Sequence, residues 1–282
     1  MNIAVCGGYS PEPQPEKETM IAAVSTACLY PKPTEDALYD LCLHGIQTVE
    51  IFLNAPSESK PVYANDLCAL LRRFGVRCAA VHPWTAPQEG FMLFSNYPRR
   101  CADYLDEAKR IFELMQRAGA KYYIIHGAFP GRVTPEIYCE RFHMLCEAAK
   151  PYGVTVTQEN VHKYESQSIR FLREFCRILG DEAKLTLDTK QAVRAGMDIA
   201  EAVRAVGKHI VHVHISDHGG LGDCLRLGKG RFQIAPFLTA LKQQGFDGAV
   251  TLELYREAFE STAELAEDWQ KLSRFIRNAE QG

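Results

Sequence analysis

Along most of the chain, short runs of alternating apolar and polar residues are followed by longer segments with apolar residues at helical spacing. Alternation places one kind of side chain on each face of a β-strand, whereas spacings of three and four give an α-helix one apolar face. This strand-then-helix unit recurs with a period of roughly 30 residues, which predicts a parallel sheet covered by helices. The predicted strands are residues 21–29, 48–53, 76–82, 122–126, 154–159, 184–188, 210–216 and 249–254.

Capping residues mark where the intervening helices begin and end. Thr34 is followed by two acids, and Thr134 precedes a proline at the first helical position, so both residues are predicted N-caps. A glycine stands between each of seven predicted helices and the next strand: Gly45, Gly75, Gly119, Gly153, Gly180, Gly207 and Gly245. Glycine ends helices readily because it adopts positive φ angles at no steric cost. The helices predicted with both bounds are residues 99–118, 165–179, 198–206, 234–244 and 261–278.

Eight such units with no recognisable edge strand favour a closed (β/α)8 TIM barrel over an open, doubly wound sheet. We expect residues 21–282 to form this single domain and residues 1–20, which include a proline-rich run, to be a poorly ordered N-terminal extension. The long connections, residues 83–98, 127–133 and 217–232, all follow strands. In a barrel of this kind the connections after the strands build the active site.

Composition limits the compartment and the partners. A net charge of −3 gives no broad attraction to nucleic acid or to anionic membranes, and no apolar run approaches the about 20 residues of a membrane span. The N-terminus lacks the pattern of a signal peptide, and the ten cysteines include no CxxC pair. We therefore expect a cytoplasmic protein with reduced thiols and a small-molecule ligand, without nucleic-acid or membrane partners. Assembly into a homo-oligomer is compatible with the sequence.

The strand at residues 210–216 carries two histidines, His212 and His214, on its polar face. Its other face is aliphatic, so this strand does not have the composition of an ordinary half-solvated strand. The pattern indicates a polar site built on a rigid scaffold. His214 lies nearer the strand end, and we expect His212, two residues earlier, to lie one layer deeper.

Ionisable side chains occur at or near the ends of seven predicted strands: Glu50, His82, His126, Glu159, Asp188, His214 and Glu253. A single buried acid usually forms a structural ion pair, but burying this many groups together is unfavourable without a compensating cation. A divalent metal ion provides that compensation. Mixed carboxylate and imidazole ligands suit Mn²⁺, Mg²⁺, Co²⁺ or Zn²⁺.

Several motifs, in this order and spacing, resemble the xylose isomerase-like barrels, specifically the sugar phosphate isomerase/epimerase group. They are VEIFL at residues 49–53, VHP at 81–83, IHG at 125–127, QEN at 158–160, LDTKQA at 187–192, HVHISD at 212–217, LGKG at 227–230 and LEL at 252–254. The resemblance covers the chain from about residue 21 to its C-terminus.

This resemblance implies a site and a reaction. One divalent ion is held by Glu159, Asp188, His214 and Glu253, and the two glutamates also act as catalytic acid and base. The implied activity is that of a metal-dependent sugar or sugar phosphate isomerase or epimerase. Such an enzyme removes a proton next to a carbonyl and passes through a metal-stabilised enediolate.

The chain departs from the family pattern at two places. Many relatives have Asp-x-x-His where this chain has Gln191, which is a poor metal ligand but can hydrogen-bond a substrate hydroxyl. The related zinc-dependent apurinic endonucleases need further ligands, including a histidine that is missing from residues 222–226. Together these departures argue against a nuclease.

The predicted substrate-binding residues are Glu50, His82, Trp84, His126, Lys190, Gln191 and Arg226. Lys190 is a candidate cation for a carboxylate, an enolate or a phosphate, and Arg226 lies in a long loop from which it can reach a substrate. Trp84 suits either stacking on a sugar ring or plain packing. Residues 91–100 suit either a lid over the site or an ordinary packed loop.

Two other functions stay open. Proton abstraction next to a carbonyl also serves elimination, so a dehydratase or lyase acting on a cyclic polyol or sugar is the nearest alternative. A non-catalytic barrel that keeps a sugar-binding pocket is the alternative from another class. The intact set of Glu159, Asp188, His214 and Glu253 argues against this last alternative.

Overall fold

A computed structural model of the chain describes residues 19–281; the expectation for the N-terminal extension therefore lies outside the described residues, except at its last two positions. Eight parallel strands close into a barrel in the order β1-β2-β3-β4-β5-β6-β7-β10, which confirms the predicted (β/α)8 fold. The barrel strands are β1 Ile21–Ser25, β2 Thr48–Phe52, β3 Arg77–His82, β4 Tyr122–Ile125, β5 Thr155–Glu159, β6 Leu185–Asp188, β7 Ile210–Ile215 and β10 Ala249–Leu252. Strands β8 Asp217–Gly219 and β9 Gly222–Leu225 form a separate antiparallel hairpin.

Helices connect the strands. They are α1 Thr34–Leu43, α2 Pro61–Phe74, α3 Ala86–Glu89, α4 Pro98–Ala118, α5 Pro135–Ala149, α6 Ile169–Leu179, α7 Thr189–Ala195, α8 Ile199–Val206, α9 Ile234–Gln243 and α10 Thr262–Gln281. Short 3-10 turns cover Thr26–Leu29, Pro56–Ser59, Lys150–Tyr152, Glu165–Gln167, Gly180–Glu182, Gly207–His209 and Arg256–Ala258. Among residues 19–281, no helix combines the length and the apolar character needed to cross a bilayer.

The two faces of the barrel strands have different surroundings. Aliphatic side chains such as Leu185 and Leu187 are buried in one large hydrophobic cluster with residues of the surrounding helices, such as Val203. Polar side chains of neighbouring strands meet on the other face, where the hydroxyls of Thr157 and Thr186 lie 2.7 Å apart. The strand faces that contact the helices are therefore aliphatic. The opposite faces carry polar side chains next to the ionisable residues at the strand ends.

Every barrel strand is shorter than predicted, and the first and the last differ most from the prediction. The first ends at Ser25, because the Ser25 hydroxyl accepts a hydrogen bond from the Ala27 N–H and starts the 3-10 turn Thr26–Leu29. The last ends at Leu252, so Glu253 lies just beyond the strand and not within it. The 165–179 helix is also split, since Ser168 caps α6 through the Phe171 N–H.

The predicted long loop at residues 217–232 contains the β8–β9 hairpin and is organised by Asp217. Its carboxylate accepts hydrogen bonds from the backbone N–H groups of Gly228 (2.8 Å) and Phe232 (2.9 Å). Gly230 passes so close to Asp217 and His218 that a Cβ atom there would overlap both residues. This loop is thus a compact, internally bonded unit.

The segment at residues 91–100, which suited either a lid or a packed loop, is anchored in the fold. Leu93 and Phe94 are buried, and the Phe94 ring stacks on Tyr138 with the ring centroids 4.2 Å apart. The structure therefore favours the packed-loop interpretation of this segment. All nine cysteines among the described residues carry free thiols.

Candidate metal and substrate site

Four side chains converge at the carboxyl end of the barrel, and we call them the ligand ring: Glu159, Asp188, His214 and Glu253. Each offers a ligand atom, and these atoms all lie within 4.8 Å of one another. Strand register explains the convergence, because Asp188 of β6 pairs with His214 of β7, and His214 pairs in turn with Thr251 of β10. The structure thus brings together the four residues that were predicted as ligands.

The ring has the properties of a cation site. The Asp188 Oδ2 atom is buried and accepts no hydrogen bond from the described residues. Burial raises the pKa of this carboxyl, and the nearby Lys190 and His214 offset that effect only in part. A carboxylate oxygen left without a donor, among two other carboxylates and one imidazole, fits a divalent ion.

Glu159 is surrounded by imidazoles. Its Oε2 atom lies 2.9 Å from His126 Nε2 and 3.4 Å from His82 Nε2, and its Oε1 atom lies 3.0 Å from His214 Nδ1. Burial alone would raise the pKa of this carboxyl, but His126 and His214 outweigh it and hold the pKa well below its ordinary value. Glu159 is therefore ionised although it is almost completely buried.

Glu50 lies beneath the ligand ring and has no access to solvent. Its Oε2 atom accepts hydrogen bonds from His212 Nε2 at 2.8 Å and from His214 Nε2 at 2.9 Å, and its Oε1 atom accepts one from Ser25. Glu50 was predicted to bind substrate, but it lies in the interior of β2 and not at the strand end. Its contact orients His214 so that the Nδ1 atom faces the ring.

Lys190 and Gln191 lie in the first turn of α7, two and three residues after Asp188. The Asp188 Oδ1 atom caps this helix by accepting the Gln191 N–H at 2.9 Å. The Lys190 ammonium lies 2.8 Å from Glu253 Oε2 and 4.7 Å from the centre of the Tyr255 ring. The Gln191 amide oxygen accepts the His162 N–H, so it is already used within the protein.

Arg226 points away from the ligand ring. Its guanidinium pairs with Glu264, with Glu267 at 3.0 Å and with Asp268 at 2.9 Å, all on α10. The predicted substrate contact of Arg226 is thus replaced by an anchor that ties the loop after β9 to the last helix. Sequence reasoning missed this because the acids lie about one helix-and-strand unit further along the chain.

Trp84 is partly buried and packs against the main hydrophobic cluster. Its indole Nε1 atom is buried and has no partner among the described residues. These surroundings match the packing interpretation of Trp84, and the indole N–H is the one polar group through which it could contact a ligand.

Glu89 is a buried residue of the site that the sequence did not reveal. One of its carboxylate oxygens accepts the backbone N–H groups of His126 (2.7 Å) and Gly127 (2.6 Å), while the other accepts the Thr85 hydroxyl. The carboxylate therefore holds the turn from which the His126 side chain projects toward Glu159. Glu89 ends the short helix α3 in the connection after β3 and does not lie at a strand end, so no periodicity pointed to it.

Gln158 holds the same turn from the other side. Its amide nitrogen donates to the carbonyl oxygens of His126 (2.9 Å) and Ile125 (3.3 Å). Gly127 has a φ angle of +92°, and a Cβ atom there would overlap the Tyr138 hydroxyl. The turn thus requires glycine and is held through both its N–H and its C=O groups.

Comparisons with known proteins agree with this architecture. A family model described as "Xylose isomerase-like TIM barrel" matches residues 42–279. An uncharacterized protein from Mycobacterium leprae is 26% identical over 266 residues, which cover 86% of this chain and 91% of that protein. Inosose isomerase from Bacillus subtilis is 29% identical over 249 residues, which cover 80% of this chain and 86% of the isomerase.

Solved structures show the same fold. The crystal structure of a D-tagatose 3-epimerase-like protein superposes with a TM-score of 0.75 at 19% sequence identity, covering 93% of this chain and 99% of that chain. The family match spans all barrel strands except the first, together with every residue of the ligand ring. The chain therefore belongs to the xylose isomerase-like TIM barrel family.

Proposed function

We propose that this protein is a metal-dependent sugar isomerase or epimerase that removes a proton next to a substrate carbonyl. The observation that carries the proposal is the ligand ring, in which three carboxylates and one imidazole meet and one buried carboxylate oxygen has no donor within residues 19–281. The activities named for two similar proteins, inosose isomerase and a D-tagatose 3-epimerase-like protein, support the same reaction class.

Glu159, Asp188, His214 and Glu253 would hold the ion. When bound, a divalent ion polarises a carbonyl oxygen and acidifies the neighbouring C–H bond. Glu159 is the proposed base: it is ionised, shielded from bulk water and flanked by imidazoles. Glu253 is the proposed second acid/base group, as the family resemblance implies.

His126 and His82 give Glu159 a route for its proton. Their Nε2 atoms lie 2.9 Å apart, and both contact the same oxygen of Glu159. His126 is the more exposed of the two, with 19% of its side chain accessible. We propose that His126 contacts a substrate hydroxyl while His82, beneath it, supports the imidazole pair.

The charges around the ring favour a neutral substrate. Lys190 is paired with Glu253, Arg194 lies 2.6 Å from Asp223, and Arg226 is paired with the acids of α10. These cations are already neutralised, whereas phosphate recognition generally uses cations that are free to pair with the phosphate. We therefore propose an unphosphorylated ketose or a cyclic polyol ketone as the substrate class.

Solvent exchange tests the proposal. The Mn²⁺-loaded protein is incubated in D₂O with a panel of ketoses, inososes and ketose phosphates, and deuterium at the carbon next to the carbonyl is measured by NMR. Exchange with neutral sugars, faster than with their phosphates, is the expected result. Water loss from a substrate would instead assign the dehydratase alternative. Absence of exchange across the panel, with the ion bound, would contradict an isomerase.

A further inference from the structure

Lys190 places a buried positive charge beside the ligand ring. Its side chain is only 4% exposed, and its ammonium lies 2.8 Å from Glu253 Oε2 and 3.7 Å from Asp188 Oδ2. The face of Tyr255 covers it at 4.7 Å. Two of the residues that it contacts are therefore members of the ring itself.

The fold keeps the ammonium at this position. Lys190 lies in the first turn of α7, and Asp188 caps that helix through the Gln191 N–H, so the backbone that carries the lysine is tied to a ring residue. Moving the ammonium away would leave a buried charge without its carboxylate partners, which is strongly unfavourable. Lys190 is thus a permanent cation of the site and not a surface lysine that visits it.

We infer that Lys190 is a built-in counter-cation of the ligand ring, which competes with a divalent ion for Glu253 and keeps that glutamate in place when the ion is absent. This inference rests on the proposed metal site. Two cations that share one carboxylate repel each other, so the ammonium lowers the affinity of the ring for a second cation.

Charge balance suggests what the lysine contributes to the reaction. Glu159, Asp188 and Glu253 together carry three negative charges, which one ammonium and one divalent ion neutralise. The loaded ring and Lys190 together then have no net charge, so they can accept the negative charge that develops on a substrate oxygen when the proton is removed. Without Lys190, the loaded ring would repel that charge.

A lysine with a purely structural role would give the opposite result in a binding experiment. If Lys190 only supported Glu253, its loss would disorder a ligand and weaken ion binding. If it competes with the ion, its loss strengthens ion binding. The sign of the change in affinity therefore separates the two roles.

The experiment compares Mn²⁺ dissociation constants for the full-length wild type, Lys190→Met and Lys190→Arg, measured from the EPR signal of free Mn²⁺. Lys184→Met is the matched control, because it removes the same charge at the opposite end of β6. We expect Lys190→Met to bind Mn²⁺ at least about tenfold more tightly than wild type. The Mn²⁺ dissociation constant of Lys190→Arg should stay closer to that of wild type, and Lys184→Met should have the wild-type value.

Thermal unfolding gives a second readout. Without Mn²⁺, Lys190→Met should melt below wild type because Glu253 has lost its partner, and saturating Mn²⁺ should raise its melting temperature more than that of wild type. Equal or weaker Mn²⁺ binding by folded Lys190→Met would overturn the inference and leave the proposed function standing. Failure of both proteins to bind any Mn²⁺ would overturn the metal site and the inference together.

Discussion

The two glutamates of the ligand ring have different neighbours. Glu159 is almost fully buried and contacts three imidazoles, whereas Glu253 has 13% of its side chain exposed and contacts an ammonium. An imidazole can accept or release a proton near neutral pH, but a lysine paired with carboxylates stays charged. Glu159 therefore contacts groups that can take up a proton from it, whereas Glu253 lies beside a permanent positive charge that favours its ionised form.

The Lys190–Glu253 ion pair is buried, and this distinguishes it from an ion pair on the protein surface. Lys32 and Asp40 lie 2.6 Å apart on the protein surface, about the same separation as Lys190 and Glu253, but the Lys32 side chain is 41% exposed. Water and salt screen the surface pair, while the buried pair acts on every other charge in the ring. Two ion pairs of similar length therefore differ in how strongly they act on neighbouring charges.

The largest effect is expected when one of the other two predicted ligands, Asp188 or His214, is removed from the ring. Asp188→Ala or His214→Ala should strip the bound ion and abolish exchange, because either change removes one of four ligands. Metal content of the purified proteins, measured by mass spectrometry, checks this. His143→Ala is the control, since it alters a surface group of one histidine and two glutamates. Full metal content in either ring variant would refute the ligand set.

The next effect separates the two glutamates. Glu159→Gln should lower the rate of substrate deuterium exchange by about 10³-fold, because it removes the proposed base. His126→Ala should lower the same rate less, since Glu159 keeps its contact with His82. Exchange rates at saturating substrate and Mn²⁺ provide the measurement. A Glu159→Gln protein with wild-type exchange would mean that Glu253 or another group is the base.

A smaller effect is expected from Glu89, which acts on Glu159 only through the His126 turn. Glu89→Gln replaces an oxygen that accepts two backbone N–H groups, so His126 should be held less firmly. We expect kcat to fall about tenfold with Mn²⁺ affinity unchanged, since no ligand is altered. Glu113→Gln, at an exposed position of α4, is the control. A loss of Mn²⁺ affinity would show that Glu89 supports the ring itself.

The smallest effect concerns the surface pair. Burial alone would raise the pKa of Asp40, but the hydrogen bonds from Lys32 and Thr262 outweigh it and lower the pKa. A lowered pKa in the folded state stabilises the protein at neutral pH, and this stabilisation is lost as the pH falls below about 4.

Asp40→Asn should therefore cost less than about 1 kcal/mol at pH 7, with the difference shrinking toward zero in acid. Urea unfolding at pH 7 and at pH 3 measures both values. A cost that is larger at pH 3 than at pH 7 would contradict this sign. If Asp40→Asn destabilised the protein at pH 7 as much as loss of the Lys190–Glu253 pair does, the surface pair and the buried pair would not differ in strength.

The sequence predicts the location of a site residue when that residue lies at the end of a strand. The carboxyl ends of parallel strands meet at one end of the barrel, so strand ends placed Glu159, Asp188 and His214 among seven candidate residues. The family resemblance then selected these three as predicted ligands. Glu253 was selected in the same way, although its strand ends two residues earlier than predicted. Periodicity likewise placed His212 correctly, one layer below His214.

The depth of a residue along the barrel axis and the partners of long side chains could not be predicted from strand ends. Glu50 lies at a register shift between β2 and β3, and its depth depends on how the strands are staggered. Arg226 and Glu89 each contact residues about 40 positions away, and their flexible side chains could have reached several partners. Such contacts depend on the packing of separate elements, which local pattern does not encode.

The sequence by itself thus determined the eight strand-helix units and the end of the barrel at which the ionisable side chains meet, because these follow from local periodicity and the rule that parallel strands end together. The choice of four predicted ligands among those side chains came from the family resemblance of the motifs. The tertiary structure decided which groups surround each ring residue: imidazoles beside Glu159, an ammonium beside Glu253 and a carboxylate beneath His214. Electrostatic surroundings arise from distances between elements far apart in the chain, and only folding sets those distances.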